Sequence, residues 1–199
     1  MKQVIRQMIA ISDAEMDSFL QRCSIKNFKK RDILSKPNTL LNELYFINEG
    51  IVRVTILDQN GTEHTTHFAL ENHFIADYAS FIQQQPSFYT LEALENTQVV
   101  VIPRSAIEWG YQHLQEGDKL GRMVAEFYFI YNDLRIKNLY IKTPKERYDS
   151  ITDLFPNIHN RVPQRMIASY LGITPIHLSR LKSAKTLRSR QSYSSDKAL

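Results

Sequence analysis

Between Gln164 and Lys182 the chain carries a run of side chains suited to hydrogen bonding with a polyanion: Gln164, Arg165, Thr174, His177, Ser179, Arg180 and Lys182, with the apolar Ile176 among them. A guanidinium can donate two parallel hydrogen bonds to guanine O6 and N7, a contact worth about 1–3 kcal/mol of discrimination. Arg180 has the place for it. His177 and Ser179 have the reach for bases or phosphates. Gln164, Arg165 and Thr174 suit the DNA backbone, which positions without specifying. The charge balance agrees. Residues 142–199 hold 11 Lys/Arg against 4 Asp/Glu, a net +7, whereas residues 1–141 hold 14 against 17, a net −3. A basic end on an acidic body fits a polyanion-binding module. The alternative is a solvated basic tail.

Other chemistry-bearing residues do not assemble. His64 and His67 lie three apart on a strand, so they face opposite sides, and His73 adds no metal-ligand spacing. No metal is expected. Asp17, Glu63, Asp77 and Glu92 have no partner pattern for paired-carboxylate catalysis, and no phosphate loop or nucleophile motif is present. The chain therefore reads as a non-enzyme without a cofactor. Cys23 is the only cysteine, which excludes an intrachain disulfide and a cysteine metal cluster and fits a reducing cytoplasm. No apolar run reaches the roughly 18 residues that span a bilayer. The opening MKQVIRQMIAISDAEM mixes charge with apolar residues, unlike a signal peptide. With 43% hydrophobic and 23% charged residues, a folded globular chain without a membrane partner is expected.

The elements that must hold Arg180 in place are legible. Ile167, Leu171, Ile173, Leu178 and Leu181 are apolar where two short helices would pack on a third. Ala168 falls four positions before Gly172, so the helices can approach closely, and Gly172 permits the sharp turn. Thr174 caps the second helix and Pro175 starts it. Ile176, His177, Ser179, Arg180 and Lys182 then face outward. Upstream, Thr143-Pro144-Lys145-Glu146 opens another helix, which runs to Phe155 and stops at Pro156.

The segment 116–142 reads as one long helix. Leu120, Val124, Phe127, Tyr131, Leu134, Asn138 and Ile141 recur in steps of four and three, a heptad seam of about three heptads. Met123, Phe129 and Ile130 form a second apolar face. The seam is expected to mediate self-association, with Asn138 fixing register; the alternative is burial inside a monomer. Before this helix, Ser12-Asp13-Ala14-Glu15 is a capping box. Strand-like runs follow at 43–50, 51–57, 62–69 and 98–102, with Asp58-Gln59-Asn60-Gly61 turning the central hairpin. Short strands with turn signals predict a β-sandwich or roll.

This order of parts resembles the cyclic-AMP receptor protein/Fnr family of bacterial transcription regulators. The resemblance is carried by Leu44–Val54, by Phe74-Ile75 with Phe81, by Thr143–Tyr148, and most specifically by Ile167–Pro175 with Leu178-Ser179-Arg180. It implies an α+β fold with three parts. Residues 1–115 would be a jelly-roll (double-stranded β-helix) sensor domain like those that bind cyclic nucleotides. Residues 116–142 would be the dimerisation helix, and 143–199 a helix-turn-helix domain with a basic tail. It also implies a homodimer on double-stranded DNA, contact with RNA polymerase, and a small-molecule effector that shifts two global states.

Two departures from the family stand out. Its cyclic-nucleotide binders carry Gly-Glu after the Phe-Ile pair and Arg-Ser some ten residues later. Here Ala76-Asp77 and Ser87-Phe88 occupy those places, so the arginine that grips the phosphate is missing and cyclic AMP is not expected to bind. Ala76, Asp77, Phe81, Ser87 and Phe88, with Tyr131 and Asn132 of the long helix, would line or fill the pocket instead. The family's Fe–S sensors need several cysteines. The second departure is the end: after Lys182 the sequence SAKTLRSRQSYSSDKAL has no hairpin wing and reads as a short helix continuation followed by a flexible tail. A second functional reading keeps only a ligand- or protein-binding sensor, with a helix-turn-helix that no longer reads DNA.

Overall fold

The computed structural model describes residues 1–184. Most of the expected basic tail lies outside them. In chain order the elements are α1 (Lys2–Met8), α2 (Asp13–Leu20), β1 (Ser24–Phe28), β2 (Ile33–Ser35), β3 (Glu43–Glu49), β4 (Val52–Leu57), β5 (Glu63–Ala69) and β6 (Phe74–Ile75). Then come α3 (Tyr78–Gln83), β7 (Tyr89–Ala93), β8 (Thr97–Pro103), α4 (Arg104–His113), α5 (Gly117–Ile141), α6 (Pro144–Leu154), α7 (Ile158–Arg161) and α8 (Gln164–Leu171). A last helix, α9, covers residues 175–184 of the described chain. The chain divides into two compact units, Met1–Asp133 and Leu134–Leu199, at a boundary inside α5.

The first unit is built on two antiparallel four-stranded sheets, ordered β1-β8-β3-β6 and β2-β7-β4-β5. Tyr45 of β3 stands opposite Val101 on one side and Ile75 on the other. Val54 of β4 stands opposite Leu91 and His67. One core cluster joins Tyr45, Ile47, Val54, Leu91, Val99 and Val101 from both sheets. A second joins Leu44, Phe46, Val100 and Ile102 to Ile5, Met16, Phe19 and Ala106 of the helices. Both faces of β3 and β8 are therefore covered. That is why Leu44–Ile47 and Val99–Ile102 read as unbroken apolar runs rather than alternations.

Local signals set the connections. Ser12 Oγ accepts from Glu15 N, and the Glu15 carboxylate accepts from Ser12 N at 2.9 Å. At the central hairpin only Gly61 takes positive φ, at +76°. Asp58 Oδ1 accepts from Asn60 N and Thr62 N at 2.8 and 2.9 Å. The turn is thus wider than a two-residue Asn-Gly turn, which would need positive φ at both residues.

Gly50 is the more demanding glycine. Its φ is +100°, and a Cβ there would strike the Thr97 side chain and lie 2.8 Å from Thr97 Cα and 2.9 Å from Asn96 O. Backbone atoms cannot step aside cheaply. Gly50→Ala is expected to cost about 3 kcal/mol, from left-handed strain plus the clash. Urea unfolding followed by far-UV dichroism measures it. A loss below about 1 kcal/mol would show that the β3–β4 corner relaxes freely.

In the second unit the Thr143 capping box is present, with Glu146 Oε2 accepting from Thr143 N at 2.8 Å. Arg147 gathers helix ends. Its Nε donates to Leu171 O at 2.9 Å, and its Nη1 donates to Leu139 O and Lys142 O at 3.2 and 2.6 Å. Each of these carbonyls lies at or near a helix C-terminus, where a cation is favoured. Tyr148, Ile151, Phe155, Ile158, Ile167, Leu171 and Leu178 form the buried interior.

Candidate functional site

Residues 164–184 form helix, tight turn, helix. Gly172 is left-handed, with φ +66° and ψ 38°. Ile173 N donates to Ala168 O at 3.0 Å and Gly172 N to Ser169 O at 3.1 Å, the paired bonds of a Schellman ending. Ala168 is fully buried, so the small side chain belongs to the packed face. Thr174 Oγ1 accepts from His177 N at 3.2 Å and so caps α9. Ile167, Leu171 and Leu178 are buried, whereas Ile173 and Leu181 are only half-buried. Thr174, Ile176, His177, Ser179, Arg180 and Lys182 are all exposed, as is Arg165, while Gln164 is half-buried. The outward set expected from the sequence therefore lies on the surface of one capped helix.

The Asp77 turn is closed from within. Asp77 is the N-cap of α3, and its Oδ1 accepts from Ser80 N at 3.2 Å. Its Oδ2 accepts from the Ser80 hydroxyl at 2.6 Å and from the Ser87 hydroxyl at 2.8 Å. Ser87 Oγ in turn accepts from Tyr89 N at 3.0 Å. Asp77, Ser80 and Ser87 are buried. Burial first, and the Asp77 charge after it, pushes the Tyr89 phenol up. The strand of loop around Ser87 is also held from outside: Asn38 N donates to Ser87 O at 2.7 Å and Ser87 N to Thr39 O at 3.0 Å.

Phe88 corrects the expectation that its ring fills a cavity: it is 72% exposed. Ser87 points inward, so in extended chain its neighbour points out. Ala76 and Phe81 are buried, but in the cluster between sheet and helices, together with Leu44 and Ile102. Tyr131 packs edge-on against His67, with ring centroids 4.2 Å apart. Asn132 is exposed, and its Nδ2 donates to Tyr128 O. His64 turns instead to Asp58, at 2.9 Å.

Tyr128 and Ser80 were not legible as site residues. The Tyr128 hydroxyl donates to Phe74 O and accepts from Ala76 N, both at 3.0 Å. Its ring stacks on Tyr78, 5.3 Å between centroids and 3° from parallel. One phenol thus bolts α5 to the chain immediately before Asp77. The one available signal was spacing, since Gly117, Gly121, Val124 and Tyr128 share a helical face.

The carboxylate makes a prediction about stability. Asp77→Ala strips the acceptor from three donors, two of them buried hydroxyls, and is expected to cost about 3 kcal/mol. Asp77→Asn keeps one acceptor oxygen and should lose less. Chemical denaturation of both variants measures the difference. A carboxylate held ready for an external ligand, rather than for Ser80 and Ser87, would be lost with almost no change.

On the long helix, Leu120 and Val124 pack within their own unit, so the expected seam is not wholly available to a partner. Gly117 and Gly121 let these first turns lie close to α4, since a Cβ on either would collide with α4 atoms. From Phe127 onward the side chains open: Phe127, Ile130, Leu134 and Ile141 are exposed, and Tyr131 and Asn138 are half-buried.

The chain is similar to known proteins in part of its sequence and in its fold. Residues 25–113 match the family described as cyclic nucleotide-binding domain. An anaerobic regulatory protein of Pasteurella multocida (strain Pm70) is 32% identical over 89 residues, which is 45% of this chain and 31% of that protein. The match thus spans less than a third of that relative's length. Among solved structures, FixK2 from Bradyrhizobium japonicum superposes with a TM-score of 0.70 at 21% identity, covering 84% of this chain and 86% of that one. A regulator assigned to the crp/fnr family from Eubacterium rectale gives 0.68 at 17% identity, covering 89% and 85%. The c-di-GMP responsive global regulator CLP of Xanthomonas campestris gives 0.67 at 14% identity, covering 90% and 93%. At these identities the structures establish the shared fold.

Proposed function

We propose that this chain, whose residues 25–113 are a domain of the cyclic nucleotide-binding family carried in a Crp/Fnr-type fold, is a homodimeric transcription regulator that reads DNA through α9. The observation that carries the reading is the capped helix itself. Thr174 starts it, Leu178 anchors it in the core, and Ile176, His177, Ser179 and Arg180 face out along it. A helix presented this way, with its N-terminal residues free to meet base edges, suits the major groove. Ile176 is 68% exposed, an apolar side chain that would cost little if it met a thymine methyl. Gln164, Arg165, Thr174 and Lys182 would hold phosphates.

The exposed part of α5, from Phe127 to Ile141, would pair with its copy around a two-fold axis. The two recognition helices would then sit about one DNA turn apart, roughly 34 Å. Contact with RNA polymerase and residence in a bacterial cytoplasm follow from the same reading.

The sensor is not proposed to take cyclic AMP. The carboxylate at the family's ribose position already accepts the Ser80 and Ser87 hydroxyls. A serine stands where the phosphate-gripping arginine would be. A desolvated phosphate without a charged partner is costly. Titration calorimetry with cyclic AMP is expected to show no binding heat, and a micromolar site would overturn this part of the reading. The DNA reading is tested by a mobility-shift titration on DNA upstream of the protein's own gene, at two salt concentrations. Saturable, sequence-selective binding supports it. Absent or sequence-indifferent binding would leave a sensor or interaction module instead.

A further inference from the structure

We propose that the apolar cavity in the helical layer of the first unit is an effector site for a small uncharged apolar molecule, acting on the start of the long helix. The cavity holds about 60 Å³ and lies between the outer face of the β3–β8 sheet and the helices. Leu44, Phe74 and Ile102 floor it, and Ile5 and Phe19 close one side. Leu120, Gly121 and Val124 of α5 form another side, and Tyr78 and Phe81 of α3 a third. It is separate from the Asp77 carboxylate, which is consumed by Ser80 and Ser87.

Three properties carry the proposal. The first is chemistry. Among the side chains lining the cavity only Tyr78 and Tyr111 carry a polar atom. A trapped water needs roughly two to four polar partners, so the space favours a nonpolar guest. The second is size. The volume exceeds the ~10–15 Å³ that admits one water and falls short of the ~150 Å³ that admits benzene, so the guest has roughly two to four heavy atoms. The third is position. Tyr111 is 43% exposed and borders the cavity, giving an entrance. Its ring also stands where any side chain on Gly121 would have to go. A guest beside Tyr111 therefore bears on the glycine contact that sets how closely α5 approaches α4. It also touches α3, which Asp77 begins and whose Tyr78 stacks on Tyr128 of α5.

Gly110 supplies the test. A Cβ there would lie 3.5 Å from Leu114 Cδ1 and 3.5 Å from Phe19 Cε2, ordinary contact distances. Gly110→Ala thus fills part of the cavity without a clash, and in a helix interior alanine is the better residue. Xenon is the probe, applied under pressure to the full-length protein with methyl NMR and hydrogen exchange as readouts. Saturable shifts are expected at the Ile5, Ile102, Leu120 and Val124 methyls, weakened roughly fivefold or more in Gly110→Ala. Amide exchange across residues 117–124 should change about twofold on occupancy. Shifts that do not saturate, or that survive Gly110→Ala unchanged, overturn the site. Saturable binding with no change over 117–124 overturns its action on the helix. Neither readout involves DNA, so either failure is distinct from a failure of the DNA-binding reading.

Discussion

Arg180→Ala is expected to remove sequence selectivity while leaving weak general binding to DNA. A bidentate arginine–guanine contact is worth about 1–3 kcal/mol, and a symmetric dimer makes it twice, so the loss is about 2–6 kcal/mol per dimer. Every 1.4 kcal/mol is tenfold. The mobility shift on the preferred site should therefore weaken by roughly thirtyfold to roughly twenty-thousandfold, with much smaller change on unrelated DNA. Arg165→Ala is the internal contrast. At the start of α8, exposed and away from the outward face of α9, it suits a phosphate. Its loss should weaken all sequences alike and flatten the salt dependence by about one counterion per contact. If Arg180→Ala instead behaves as Arg165→Ala should, Arg180 holds the backbone and another residue reads the bases. If it changes nothing, α9 does not enter the groove. The variant should fold normally, because Arg180 is exposed while its neighbour Leu178 carries the packing.

How far the sequence forecasts such a site depends on the distance over which its partners act. The α8–α9 turn is legible because its causes are local: Ala168, Gly172 and Thr174 sit within seven residues, and each has a steric or capping reason. The capping boxes at Ser12 and Thr143 are legible for the same reason. β3 and β8 are legible because both of their faces are buried. β1 is not: four of its five residues are exposed, and it is a strand only because it borders β8 at the sheet edge. The Asp77 turn is legible only as a place after Phe74-Ile75; the closed state of its carboxylate is not. Closure needs Ser87, ten residues away, to return to the carboxylate. The chain achieves this through Gln84, a non-glycine residue at φ +53° that ends α3. Glutamine does not advertise that conformation, which is commonest for glycine and asparagine. The Gln84 amide secures it by donating to Phe81 O at 2.9 Å. Arg53 is a second case. A charged residue between the core residues Val52 and Val54 of β4 is expected on the solvent-exposed face of the sheet. Instead its side chain is 5% exposed, with Nε donating to Thr65 Oγ1 at 2.8 Å and Nη1 2.5 Å from Glu63. Glu63 and Thr65 belong to the neighbouring strand, so this pairing is tertiary.

Leu134→Asp is expected to convert the protein to a monomer and to remove tight DNA binding with it. Leu134 is 49% exposed and Ile141 77% exposed on α5, in heptad register with each other. Solvated apolar side chains of this size, repeated at that spacing, are an unpaid hydrophobic debt that a second copy of the same helix would settle. Two-fold symmetry doubles the effect of one substitution. Each protomer would place a carboxylate in an apolar seam. The desolvation cost is several kcal/mol per charge, more than the side chain's hydrophobic contribution of about 2 kcal/mol. Sedimentation should therefore read a single-chain mass of 23.3 kDa for the variant against twice that for the parent. Far-UV dichroism should match, because the residue is half-exposed in the isolated chain and aspartate does not break the helix. Phe127→Asp is the less clean companion, since Phe127 also lies 6.3 Å from His73 by ring centroids. DNA affinity should fall beyond anything Arg180→Ala causes, because a monomer keeps one half-site and loses the other. A variant that sediments as a dimer would refute the α5 seam. A monomer that still binds DNA with full affinity would refute the two-fold operator.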